Sequence, residues 1–138
     1  MWRLLFSLAM LLHGIGHILF LMNAWGYWKT ASARAWLFAD SLKFSQAGEG
    51  IIGVLWLAPL LGFVLGAWGY FAQQTWWASA ALAAAILSSA MILLWWGSLN
   101  TSSAIFALLF NLVVLVVVLW QQRMRRRQQP HEIRRKIR

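Results

Sequence analysis

Residues 104–127 read AIFALLFNLVVLVVVLWQQRMRRR, a run of Leu, Val, Ile and Phe broken only by Asn111 and ended by Trp120, two glutamines and four arginines interrupted by one methionine. A surface helix of a soluble protein alternates an apolar stripe with a polar face, and this run has no polar face. As a helix, Ala104 to Trp120 would extend about 26 Å, close to the roughly 30 Å hydrocarbon thickness of a bilayer. Trp120 stands where an indole would meet the headgroup layer, and the arginines follow where water begins. The segment therefore reads as a membrane span with a basic end.

Three more such runs precede it. The third lies between the pairs Trp76–Trp77 and Trp95–Trp96, the second runs from Gly50 to Ala72 behind Glu49, and the first from Leu4 to Met22. The expected fold is an all-α membrane protein: a four-transmembrane-helix bundle in residues 1–120, with spans at about 4–22, 50–72, 76–96 and 103–120, and a basic cytoplasmic tail in residues 121–138. Composition agrees. The 138 residues are 62% hydrophobic and 11% charged, against roughly 25% charged in soluble domains, and a chain this short cannot hide that excess in a core. An ordinary soluble enzyme is excluded. The absence of cysteine excludes thiol catalysis, disulfides, iron–sulfur ligation and cysteine zinc sites. Asp40, Glu49 and Glu132 are the only acids, too few for paired-carboxylate chemistry. A cleaved signal peptide fits poorly, because His13, Gly14, Gly16 and His17 interrupt the first apolar run.

The tail sets the expected orientation. Arg123, Arg125, Arg126, Arg127, Arg134, Arg135, Lys136 and Arg138 stand against a single Glu132, which places both termini in the cytoplasm by the positive-inside rule. Gln73 to Thr75 is then cytoplasmic and Gly97 to Ser103 faces out. Lys29, Arg34 and Lys43 in the first loop argue weakly the other way. In that loop Ser32 is placed to cap a short interfacial helix carrying Trp36, Leu37, Phe38 and Leu42, or the segment packs over the bundle mouth.

The chemistry-bearing motif is Leu12-His13-Gly14-Ile15-Gly16-His17. Its imidazoles, four residues apart, share one helix face at membrane depth, where ionisable groups are rare and mark functional sites. They are candidate ligands for haem iron, a chlorophyll-type magnesium or zinc, or proton carriers. The structural alternative is hydrogen bonding across the bundle, with Gly14 and Gly16 in close helix contact. Counting from the span ends brings His13, His17, Ser88, Ser89 and Asn111 to similar depths, so they form the expected intramembrane polar cluster.

Other motifs read as structural. Ala58, Gly62 and Gly66, and Ala81, Ala85 and Ser89, form rows of small residues suited to close helix packing. Pro59 is expected to kink the second span near Leu55, beside Trp56. Gly48-Glu49-Gly50-Ile51-Ile52-Gly53 has the letters of a dinucleotide fingerprint but no preceding strand, and Glu49 reads as a helix-start carboxylate.

With its Leu12–His17 motif, Gly53-Val54-Leu55-Trp56-Leu57, Trp76–Trp77 opening an alanine-rich span, and a polar-interrupted fourth span, the chain resembles a group of small bacterial four-span integral membrane proteins with no assigned activity. It is also similar to DoxX-like proteins in size and layout. The resemblance implies a four-helix fold in the bacterial cytoplasmic (inner) membrane and supplies no activity. Three functions stay open: a non-enzymatic accessory or structural subunit packed against a membrane-protein partner or a second copy; a haem- or pigment-binding subunit using His13 or His17; and a small transporter or proton-linked carrier. The bilayer is the expected partner throughout, with anionic lipid headgroups at the basic tail; nucleic acid is not expected, since the tail lacks stacking aromatics.

Overall fold

A computed structural model of the chain describes residues 1–24, 51, 53–96 and 99–136. All the regular structure among them is helical: α1 spans Trp2–Ala24, α2 Leu57–Phe71, α3 Trp77–Leu94 and α4 Thr101–Lys136. With a preceding turn from Gly53, four segments are long and apolar enough to cross a membrane: Trp2–Met22, Gly53–Phe71, Trp77–Leu94 and Thr101–Met124. This is the architecture of a small multi-pass integral membrane protein. The proposed interfacial helix around Ser32 and Trp36, and Glu49 with most of the glycine motif around it, lie outside the described residues.

Local chemistry sets the helix ends. Asn100 precedes α4, and its side-chain oxygen accepts the Ser103 backbone N–H at 3.2 Å, satisfying a donor that has no partner within the helix. The end of α2 is a Schellman turn: Gln74 N–H donates to the Gly69 carbonyl at 2.8 Å and Gln73 N–H to that of Tyr70 at 3.3 Å, with Gln73 left-handed at φ 59°. Glycine usually occupies such a position. Here the glutamine has a second role, because its side-chain amide, oriented by the contact, accepts from both terminal nitrogens of Arg3, Nη2 at 2.8 Å. The start of α1 is thereby tied to the α2–α3 turn.

The second span is interrupted at Trp56. Its N–H reaches only three residues back, to the Gly53 carbonyl at 3.1 Å, while Leu60 N–H returns to the Trp56 carbonyl at 3.4 Å. Pro59 falls in the first turn of α2, where it has no N–H to offer Leu55. Residues 53–55 are helical before Trp56 and α2 is helical after it, so the interruption falls within the span beside Leu55, where Pro59 is expected to disturb it.

Neighbouring helices are antiparallel and consecutive in space. Phe6 meets Tyr70 with ring centroids 5.2 Å apart, and His17 meets Trp56 at 5.5 Å, so α2 descends as α1 rises. The α2–α3 seam needs glycine: a Cβ on Gly62 would lie 2.8 Å from Ala84 Cβ, and one on Gly66 would lie 3.2 Å from Ala81 Cβ. Ala58, read from the sequence as part of this row, is instead exposed. α1 and α4 meet through longer side chains, with Phe6 and Met10 in one buried cluster with Val114 and Val118.

Outward faces of all four helices carry large apolar side chains, among them Leu12, Leu19, Leu61, Leu65, Ile86, Phe106 and Val116. In water such a surface would drive association; in lipid it is the expected exterior. At the end holding the α2–α3 turn Trp2, Trp68, Trp76 and Trp120 are exposed and Trp77 is buried, whereas at the other end Trp56 is buried and Trp95 and Trp96 are half-buried.

Candidate functional site

Three helices converge on Asn111, which is 0% exposed near the middle of the Thr101–Met124 span of α4. Its amide nitrogen donates to Ser88 Oγ at 2.9 Å and to Ser89 Oγ at 3.1 Å, both on α3. Its oxygen faces His13 Nε2 on α1 at 3.0 Å. Direction follows from stoichiometry. Ser89 donates its one hydroxyl proton to the Ala85 carbonyl at 2.8 Å, leaving its oxygen to accept. The amide nitrogen therefore faces the serines and the carbonyl faces His13, which fixes the proton on His13 Nε2. Asn111 uses its donors and an acceptor in a single cross-link of α1, α3 and α4.

The helix geometry explains why these residues meet. Gly14 lets α1 lie against α2, since a Cβ there would fall 2.9 Å from Phe63 Cβ and 3.3 Å from the Leu60 carbonyl. That approach sets Phe63 edge-on to His13, ring centroids 4.8 Å apart at 88°, while Phe110 of α4 lies over His13 at 4.5 Å. The imidazole is held by two phenyl rings and one hydrogen bond. Gly16, by contrast, has nothing within 4 Å of an added Cβ, so the close contact involves one of the two glycines.

His17 is placed differently. It is 2% exposed, and neither ring nitrogen has a hydrogen-bond partner. Its faces are covered by Trp56 at 5.5 Å and Phe63 at 6.0 Å, both near-parallel, and His13 stands edge-on at 5.2 Å. Phe20 stacks in turn on Trp56 at 4.5 Å. A buried polar group without a partner costs about 1–3 kcal/mol, and such a group is the first place to look for an unmet role. Ser7 Oγ is likewise buried and without a partner.

Of the five residues the sequence brings to one depth, His13, Ser88, Ser89 and Asn111 share hydrogen bonds, and His17 adjoins them only through the His13 ring. The aromatic walls Phe63 and Phe110 escaped the sequence reading. Counting from the span ends puts Phe63 near the depth of His13, but depth alone does not single out one phenylalanine from the others. Among the described residues no group of three or more His, Cys, Asp or Glu side chains could hold a metal. Scans against protein-family models, curated proteins and solved structures find nothing that matches this chain.

Proposed function

We propose that this chain is a non-enzymatic accessory or structural subunit of the bacterial cytoplasmic membrane, of the kind found among small four-span proteins, packing in lipid against a larger membrane partner. The observation that carries the reading is the closure of the Asn111 cluster: its donors and acceptor are committed to joining helices, while the outward faces are apolar. Such a design stabilises a scaffold and needs no substrate. Both termini are assigned to the cytoplasm, on the strength of the basic tail. Purification from the native membrane in mild detergent tests the proposal. Recovery of a larger membrane protein in fixed stoichiometry is the expected result, and recovery of the isolated chain alone overturns it.

One observation favours a second reading. The two unpartnered ring nitrogens of His17 are what a ligand-binding imidazole would present, for haem or a chlorophyll-type pigment, with His13 beside it. Gently isolated material carrying a Soret or pigment band that His17→Phe abolishes would establish this reading; colourless material ends it.

A further inference from the structure

The tautomer of His13 leaves one of its nitrogens with a lone pair to offer. Its Nε2 proton is committed to Asn111 at 3.0 Å, so the neutral ring carries the lone pair on Nδ1. Histidines that ligate metals are held in this way: the other ring N–H is donated to a carboxylate, a carbonyl or water, which fixes the tautomer and the orientation of the ring. Here the oxygen is that of Asn111, itself held by Ser88 and Ser89.

One turn further along α1, His17 is 2% exposed and neither of its nitrogens has a partner; one of them carries a second lone pair. The two ring centroids are 5.2 Å apart. An ion about 2.0–2.1 Å from one nitrogen of each ring would lie about 3.2 Å from each centroid, and centroids at the observed separation subtend about 110° at it. A single ion can therefore span the pair. Trp56 and Phe63 close the faces of the His17 ring, leaving the ring plane, where the nitrogens point, as the line of approach. Beside the pair, a Cβ added to Gly16 would meet nothing within 4 Å, which leaves room for a further small ligand such as water.

The surroundings select the ion. The four spans contain no Asp or Glu, so they offer the site neutral donors alone. The cost of taking an ion out of water grows with the square of its charge, and a divalent ion without an anionic ligand costs about four times as much as a monovalent one. Zinc also takes at least three protein ligands, and among the described residues no three His, Cys, Asp or Glu side chains come together. Potassium shares the single charge but is bound by oxygen donors. Copper(I) is monovalent, and imidazole suits copper. We propose that His13, through Nδ1, and His17 bind one copper(I) ion inside the bundle, with Asn111 as the positioning residue for His13. The assignment needs no larger partner, and a macrocycle ligated by His17 would exclude it.

The test titrates copper(I) alone, under argon with ascorbate, into the full chain in detergent micelles, against a chromogenic copper(I) chelator. The unaltered chain is expected to take up one ion. His17→Phe keeps a flat ring between Trp56 and Phe63 and removes a ligand, so it should fold, as circular dichroism checks, and lose the uptake. Asn111→Leu removes only the group that orients His13 and is expected to weaken binding by about 10–100-fold. His131→Gln, in the basic tail, should leave it unchanged. The proposal is overturned if the unaltered chain takes up no copper(I), if folded His17→Phe retains the uptake, or if His131→Gln loses it. It is also overturned if an equal amount of zinc displaces the copper, since the charge argument then fails, or if gently isolated material carries a Soret or pigment band that His17→Phe abolishes.

Discussion

His13 on α1 donates through Nε2 to the Asn111 side-chain oxygen on α4 across 3.0 Å, although 98 residues separate them in the chain. Through Asn111 the bond continues to Ser88 and Ser89 on α3. A hydrogen bond between helices in a membrane contributes on average about 0.6 kcal/mol and at most about 1.7. Asn111→Leu removes three of them and strands the His13 N–H among phenyl rings. The expected loss is about 2 kcal/mol, read from unfolding in SDS followed by circular dichroism; unaltered stability would mean the bonds do not bear on the fold.

The two histidines should respond oppositely to the same change. His17→Phe keeps a flat ring between Trp56 and Phe63 and removes two nitrogens without partners, so stability should stay level or rise by about 1 kcal/mol. His13→Phe breaks the bond to Asn111 and should lower it by about 1–2 kcal/mol. Equal losses in both variants would contradict the different placements of the two rings.

A similar contrast separates the two glycines of α1. Gly14→Ala puts a methyl 2.9 Å from Phe63 Cβ and near a backbone carbonyl, where relief requires α1 and α2 to part, at about 1–3 kcal/mol. Gly16→Ala meets nothing within 4 Å and gains up to about 1 kcal/mol of helix propensity. Thermal unfolding in one detergent would compare them directly, and a Gly16→Ala protein less stable than Gly14→Ala would reverse the assignment of the contact.

The bundle end that holds Arg3, Gln73 and the extension of α4 is expected to face the cytoplasm. Protease added outside intact cells should leave a tag at the carboxyl end uncut, and cut it once the cells are opened. Cleavage in intact cells would invert the topology while leaving the fold as described.

The helical class and number of spans were legible in the sequence because they depend on local quantities: run length, absence of charge, and tryptophans at the ends. Leu4–Met22 and Ala104–Trp120 fall within the helices observed, and depth counting set Asn111 near His13. The small-residue row on the second span was legible in part: Gly62 and Gly66 contact α3, while Ala58 faces outward, because spacing names a helix face but not the length over which the neighbour stays close. Pro59 signalled a break in the second span, and the structure puts it at Trp56, with helix on both sides.

What the residues alone determined, then, was that four apolar segments of bilayer length would be helices and that a few polar groups within them would need one another. A polar group in hydrocarbon costs too much to leave unpaired, whatever the fold. Tertiary structure decided which groups pair: helix rotation, set where Gly14 and Gly62 admit their neighbours, turns His13 toward Asn111 and presses His17 between two aromatic faces. It also made the basic end a continuation of α4. Rotation and helix continuity depend on contacts made all along the chain, and no spacing within one segment encodes them.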